Sequence, residues 1–258
     1  MTDIAARAHR LLDLHSSPEL LTVVNVWDAI SAKIVSDVDG IEALATASHS
    51  IAAMYGYEDG ENIPVDLMIE AVGRIAAATE LPVTADLEAG YGNPGETARK
   101  AIDVGIVGAN LEDQVKPLAD AVAAVEAVVK AGEAAGIPFV LNARTDVVAK
   151  AGDRPHDEVI ADAIERGKAF LDVGAPVVFV PGPLSEDDVV QLVEAYGPQR
   201  LTTIGYPGSI PLARQAELGV ARVSYGPFSQ SVALMALQDL AKDIVAGGGL
   251  PSDFRVLN

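Results

Sequence analysis

The chain contains no cysteine, one tryptophan, and few aromatic residues of any kind, 5% of 258 positions. It is also short of basic side chains: 18 Lys and Arg stand against 37 Asp and Glu, a formal charge of −19. Without cysteine there is no disulfide scaffold, no thiolate-ligated zinc and no thiol nucleophile. The charge argues against nucleic acid or an anionic membrane surface as a partner, because either would need a basic face. No apolar run reaches the roughly 18 residues that mark a bilayer-spanning helix. The first residues, Met1 to His15, intersperse Asp3, Arg7, Arg10 and Asp13 with apolar positions, the pattern of an amphipathic helix and not of a signal peptide. These absences predict a soluble cytoplasmic protein with no nucleic-acid and no membrane partner.

What the chain does have is apolar residues, half of its length, enough for a large core despite the charge. Short β-branched runs alternate with helical patterns. The strand candidates are Thr22–Val26, Glu42–Ala47, Pro82–Leu87, Gly108–Leu111, Pro138–Ala143, Pro176–Val180, Leu201–Ile204 and Ala221–Ser224, eight in all. Several are apolar on both faces, as strands covered on both sides must be. Between them lie helical stretches at Ala29–Ser36, Val65–Ala78, Pro94–Asp103, Pro117–Ala135, His156–Asp172, Glu186–Tyr196, Ile210–Glu217 and Ser229–Val245. Asn93-Pro94 with Glu96, and Ser185-Glu186-Asp187, are helix starts; Gly105, Gly136, Gly174 and Gly219 are stops. Strand and helix alternating eight times imply parallel strands with crossovers. The expectation is one α/β domain over residues 1–258, a (β/α)8 TIM-type barrel with an extra N-terminal helix within 1–20 and a loose tail at 246–258. A doubly wound open sheet is the alternative.

Barrels of this kind carry their active sites at the C-terminal ends of the strands. The third strand ends Thr84-Ala85-Asp86-Leu87-Glu88, with Asp86 and Glu88 at i and i+2, which puts both carboxylates on one face. The fourth ends Asn110-Leu111-Glu112-Asp113, and the fifth Asn142-Ala143-Arg144-Thr145-Asp146, with Asn142 and Arg144 on one face. The second runs into Thr46-Ala47-Ser48-His49-Ser50, followed by Tyr57-Glu58-Asp59-Gly60. Three converging carboxylates repel one another unless one is protonated or a cation sits among them. Asp86, Glu88 and Glu112 therefore read as a hard-metal site, Mg2+ or Mn2+, with oxygen ligands and water. Arg144 is suited to clamp a carboxylate or phosphoryl group. Glu58, Asp113 and Asp146 read as strand-end charges pairing around the rim. Gly205-Tyr206-Pro207-Gly208-Ser209 reads as a plain turn, with Tyr206 and Tyr225 as candidates to line the pocket. The stripe Val232, Met235, Ala236 and Asp239 reads as a packing surface.

The runs Asp86-Leu87-Glu88-Ala89-Gly90-Tyr91-Gly92-Asn93, Leu111-Glu112-Asp113-Gln114-Val115 and Asn142-Ala143-Arg144-Thr145-Asp146 resemble the isocitrate lyase/phosphoenolpyruvate mutase superfamily, as does Met54-Tyr55-Gly56-Tyr57-Glu58-Asp59-Gly60. The resemblance runs in order from Asn25 to Ser224. It implies a modified (β/α)8 barrel that binds Mg2+ and makes or breaks C–C or P–C bonds beside an α-keto acid. It further implies Asp86 as direct metal ligand, Glu88 and Glu112 as ligands through water, and Asp59 as the carboxylate near the reacting centre. Arg144 corresponds to the substrate-holding arginine, joined by Asn142. Ala47, Ser48 and His49 align with the loop whose N–H groups hold the substrate's acidic end. The family usually has Asp where Glu88 stands, and His49 is not usual in its position. Exchange of a C-terminal helix in family tetramers implies a homo-oligomer, dimer or tetramer.

Two departures bound the function. The lyases follow Glu-Asp-Gln with a long mobile gate that bears an acid/base cysteine. Here Gln114-Val115-Lys116-Pro117 leads almost directly into the next helix, and there is no cysteine. This argues against isocitrate or methylisocitrate cleavage by the usual mechanism and weakens phosphonomutase activity, which also excludes water with that gate. The expected function is an Mg2+-dependent carbon–carbon lyase on a small α-keto or 2-hydroxy (di)carboxylate, by cleavage or decarboxylation of an oxaloacetate-like substrate. The alternatives are phosphonopyruvate mutase or hydrolase chemistry, and a barrel that binds a keto acid without turning it over.

Overall fold

Strands form where β-branched and small apolar residues run between Gly, Pro and Asp, and they are short because each crosses the barrel wall once. In the computed structural model, which describes Thr2 to Leu257, they are β1 (Leu21–Thr22), β2 (Val24–Val26), β3 (Leu44–Thr46), β4 (Val83–Asp86), β5 (Gly108–Glu112), β6 (Val140–Arg144), β7 (Val177–Phe179), β8 (Leu201–Ile204) and β9 (Arg222–Ser224). The helices are α1 (Thr2–Ser16), α2 (Ala29–Ser36), α3 (Ser48–Met54), α4 (Val65–Ala77), α5 (Pro94–Asp103), α6 (Leu118–Ala135), α7 (His156–Asp172), α8 (Glu186–Tyr196), α9 (Leu212–Glu217) and α10 (Phe228–Val245).

All neighbouring strands are parallel, in the order β1-β9-β8-β7-β6-β5-β4-β3-β2. The two end strands are separated in sequence only by Val23, whose N–H donates to Val223 O at 3.0 Å. The expected first strand is thus one stave in two pieces, β1 pairing with β9 and β2 with β3. The order closes on itself as the predicted α/β TIM-type barrel.

Local signals set the helix ends. Asp28 and Ser31 form a capping box on α2, as do Ser185 and Asp188 on α8. Asn93 caps α5, with Pro94 opening the helix. Small residues let the helices approach: a Cβ at Gly167 of α7 would come within 2.3 Å of the Tyr196 ring of α8. That tyrosine in turn donates to Ala163 O at 2.6 Å.

Helix α1 covers the opposite end of the barrel from the expected site. Leu11 is fully buried against Gly108, the first residue of β5, where a Cβ would meet Leu11 Cδ2 at 2.9 Å. His15, at the end of α1, is buried and donates Nδ1–H to Leu11 O at 2.8 Å. Burial, reinforced by the charge of Arg222, pushes its pKa down to about 3. Arg222 itself opens β9, is 1% exposed, and is lowered to about 10 by burial.

The structure also differs from the sequence reading in places. The second strand candidate, Glu42–Ala47, narrows to Leu44–Thr46. Ser48 and His49, expected in a loop, begin α3, with Ala47 as its extended cap residue. Helix α9 begins at Leu212, because Pro211 sits at its cap position. The tail after Val245 contains neither helix nor strand through Leu257. Met1 and Asn258, included in the expected N-terminal helix and tail, lie outside the described residues.

Candidate active site

Asp86, Arg144, Phe179, Ile204 and Ser224 are the last residues of β4, β6, β7, β8 and β9, and all five line one cavity of about 190 Å3. Asn25, Ala47, Ser48, His49, Asp59 and Asn110 complete most of its wall. Parallel strands all end on the same side, so one barrel end collects their terminal side chains.

Asp86 is held from three directions. Its N–H donates to Thr46 Oγ1 at 2.9 Å, and its Oδ2 accepts from the Ser48 N–H at 3.1 Å and Ser48 Oγ at 2.8 Å. Arg144 donates Nε–H to Asp146 Oδ1 at 2.7 Å, and its Nη1 lies 3.1 Å from Glu112 Oε2. The guanidinium also lies over the Phe179 ring, 6.0 Å from its centroid. Burial works to lower the Arg144 pKa, but the carboxylates of Glu112, Asp86 and Asp146 outweigh it and hold the value above the ordinary one. Glu112 closes β5 and stands behind Arg144, off the cavity wall. Desolvation drives its pKa up to about 7 against the pull of Arg144, with Asp146 and Asp86 adding repulsion.

Glu88 is placed differently from the expectation. Strand β4 stops at Asp86, and Glu88 takes a left-handed backbone with φ of 52°, so the i, i+2 facing does not extend to it. It is 3% exposed. Its Oε1 accepts from Tyr91 OH at 2.9 Å, and its Oε2 accepts from the Glu61 N–H. Glu61 returns the connection by accepting the Tyr91 N–H at 2.5 Å. Glu88 thus clasps the segment between α3 and α4, which carries Asp59, to the turn after β4. Burial raises the Glu88 pKa more than these two bonds lower it, and burial together with Glu88 raises that of Tyr91. Among the described residues, no three His, Cys, Asp or Glu side chains are grouped as a metal site.

Asn142 lies beneath the cavity and not on its wall. It is fully buried, accepts from Thr202 Oγ1 at 2.7 Å, and donates to Asn110 Oδ1 at 2.8 Å. His49 and Asp59 face each other across the rim, Nδ1 to Oδ2 at 3.6 Å, each about half exposed. Asp113 and Asp146 do pair with neighbouring charges, yet they are buried and not on a solvated rim. Tyr206 and Tyr225 line a separate groove of about 500 Å3 with Val24, Leu212, Phe228 and Val232. Gly205–Ser209 is a turn, closed by Ser209 N–H to Tyr206 O at 3.0 Å. Beside that groove, α10 leaves Val232, Leu234, Met235 and Leu237 more than half exposed. Sequence reasoning missed Phe179, Ile204, Ser224 and Asn25. Their signal was positional: Phe179, Ile204 and Ser224 end short strands, and Asn25 is one residue short of the end of β2.

A family profile described as phosphoenolpyruvate phosphomutase matches residues 11–245. A crystal structure of a candidate phosphonomutase from Burkholderia cenocepacia J2315 superposes with a TM-score of 0.87 at 37% identity, covering 93% of this chain and 98% of that one. The 2,3-dimethylmalate lyase of Eubacterium barkeri is 28% identical over 90% of this chain and 84% of its own. An oxaloacetate decarboxylase of Pseudomonas savastanoi pv. phaseolicola is 26% identical over 89% of this chain and 82% of its own.

Proposed function

The chain belongs to the phosphoenolpyruvate phosphomutase family, within the isocitrate lyase/phosphoenolpyruvate mutase superfamily, and from that premise we propose a divalent-metal-dependent carbon–carbon lyase acting on a small α-keto or 2-hydroxy dicarboxylate. The observation that carries this reading is the meeting of Asp86 and Arg144 on one small cavity at the barrel's C-terminal end. Of the relatives, one is named a 2,3-dimethylmalate lyase and another an oxaloacetate decarboxylase, both for small dicarboxylates.

The donor chemistry fits Mg2+ or Mn2+. Asp86 has one oxygen engaged by Ser48 and a second one to offer, and Glu112 is a desolvated carboxylate in its field. Mg2+ is commonly held by one or two carboxylates and keeps much of its water. Asp86 would hold the ion directly and Glu112 through water; Glu88 is read as the clasp of the Asp59 segment and not as a ligand. When bound, the ion polarises the substrate's keto oxygen as a Lewis acid.

The remaining roles fall to this chain's own residues. Arg144 binds the substrate carboxylate through the N–H groups left after Asp146 and Glu112 are served. Ser48 orients Asp86 through its own N–H and hydroxyl, which leaves the main-chain N–H groups of Ala47 and His49 to meet the substrate's second acidic end. Asn142 sets Asn110 from below. Cleavage beside a carbonyl leaves a carbanion equivalent that must gain a proton, and Asp59, with His49 beside it, is the group at the mouth to hold or move it. The mouth is the route for a small-molecule keto acid in a cytoplasmic setting.

Oligomerisation completes the reading. Helix α10 carries more apolar surface than it buries, next to an apolar groove of matching character, and mutual exchange of α10 between copies, as a dimer or tetramer, would cover both.

The test is turnover of oxaloacetate with Mg2+, scored for pyruvate and CO2, with and without EDTA. Asp86→Ala should lower kcat/KM by about 10^3 and abolish the metal response. Unchanged turnover and metal affinity in that variant would refute the assignment. P–C chemistry is the second reading, favoured by the 37% identity to a candidate phosphonomutase; phosphate release from phosphonopyruvate would select it. Tight binding of oxalate with Mg2+ but no turnover of any keto acid would mark a binding protein.

A further inference from the structure

Arg144 aims its guanidinium by holding Asp146, so its precision depends on what holds Asp146. That carboxylate is fully buried, with Oδ1 on Arg144 Nε at 2.7 Å and Oδ2 on Lys150 Nζ at 2.8 Å. Its main-chain N–H donates to Asp113 Oδ1 at 3.0 Å, a bond from the turn after β6 to the turn after β5. Asp113 is 5% exposed, and the same Oδ1 takes the Val115 N–H at 2.9 Å. Its other oxygen lies 3.1 Å from Nη1 of Arg166, a residue of α7 that never touches the cavity. Arg166 Nη1 also donates to Lys116 O at 2.9 Å, and its Nε to Asp162 Oδ1 at 2.8 Å. One buried arginine therefore holds both strand-end turns and the short connection from β5 to α6.

We propose that Arg166 is a positioning residue for Arg144, acting through Asp113 and the Asp146 backbone, and that it fixes the β5–α6 connection as a rigid rim. The first half rests on the reading of Arg144 as the substrate-carboxylate clamp. The physical reason is the cost of an unpaired buried charge. Without Arg166, the Asp113 carboxylate loses its counter-charge in a low-dielectric setting and turns toward solvent. That turn releases the Asp146 N–H and the Val115 N–H that Asp113 now accepts. Gln114 and Val115 both hold left-handed backbones, φ of 51° and 57°, and revert without that anchor. Lysine supplies the charge to Asp113 but lacks the fork that reaches Asp162 and Lys116 O at once.

The experiment is a double-mutant cycle read by calorimetric binding of oxalate in the presence of Mg2+, alongside kcat and KM for oxaloacetate. Arg166→Met should weaken oxalate about tenfold or more and raise KM more than it lowers kcat, whereas Arg166→Lys should recover most of the loss. In an Arg144→Lys background, Arg166→Met should change oxalate affinity by less than about threefold, because the group it aims is gone. An equal loss in both backgrounds would mean that Arg166 only stabilises the fold, and would overturn the proposal. If Arg166→Met does not fold, Arg166→Gln, which removes the charge but keeps a polar side chain, takes its place in the cycle.

If the wild-type protein binds no oxalate and turns over no oxaloacetate, the functional reading of the previous section fails by itself. The crystal structure of the Arg166→Met or Arg166→Gln protein still decides the positioning claim. Loss of the Asp146 N–H to Asp113 bond together with a displaced Arg144 supports it; both contacts intact would overturn it.

Discussion

His15 ties the stability of the barrel floor to pH in a way that one substitution isolates. Its ring is buried beneath the barrel, and burial, aided by the Arg222 charge, lowers its pKa from 6.5 to about 3. The unfolded chain binds a proton near pH 6.5 and the folded chain does not until about pH 3, so between these limits the unfolded state holds more protons. Stability therefore falls as pH drops through that window. Between pH 8 and pH 5, His15 alone should cost about 2 kcal/mol, and by pH 3 about 4 kcal/mol. His15→Leu removes the titrating group while keeping an apolar side chain of similar length. The assay is urea unfolding of both proteins at pH 8 and pH 5, compared as differences, so that carboxylates common to both cancel. Wild type should lose about 2 kcal/mol more than His15→Leu across that interval. The absolute stability of the variant does not enter, since the lost bond to Leu11 O lowers it equally at both pH values. Equal losses in the two proteins would refute the reasoning and mean that His15 is protonated, or hydrated, in the folded barrel.

Other expectations follow from single contacts. Gly90 sits at φ of 92° with Pro94 carbons 2.6–2.7 Å from the position of a Cβ, so Gly90→Ala should lower unfolding stability by about 2–4 kcal/mol; a chemical-denaturation difference under 1 kcal/mol would contradict this. Glu112, raised to about 7, should give up a fraction of a proton when Mg2+ binds near neutral pH, and the release should vanish in Glu112→Gln; calorimetry in buffers of different ionisation enthalpy measures it. Replacing Met235 and Leu237 of α10 by Glu should abolish the self-association proposed for that helix while leaving the fold intact, and sedimentation velocity with circular dichroism tests both parts.

The barrel was legible in the sequence because its strands and helices have different periods and are punctuated by Gly, Pro and Asn. Closure was not legible, since it depends on the single-residue break at Val23 and on pairing between the two chain-distant edges. Asp86 and Arg144 were legible because strand ends of a parallel barrel converge and these side chains carry charge. The i, i+2 facing expected for Glu88 did not hold, because alternation was extended past Asp86, where the backbone turns left-handed and the strand stops. Asn142 shows the same geometry at a different depth: it shares a face with Arg144, but two residues down the strand is one layer lower and out of reach of the cavity. Arg166 could not be found from sequence, because an arginine in the middle of an amphipathic helix gives no sign of the buried aspartate 53 residues away that it holds.

The exposed rim at His49 and Asp59 has a consequence for traffic. With half of each side chain in water and only a short connection after β5 beside the site, solvent ions reach the mouth, and the field of a chain carrying −19 reaches arriving solutes. A dicarboxylate diffusing in meets repulsion once it comes within about a Debye length, near 10 Å at 0.1 M salt, and a divalent cation meets attraction over the same distance. Ionic strength then pulls the two encounters in opposite directions: added salt quickens capture of the anion and slows capture of the metal. For the metal-dependent lyase proposed above, the surface charge would be an ordering device, favouring the cation first at low salt and relaxing that preference as salt rises.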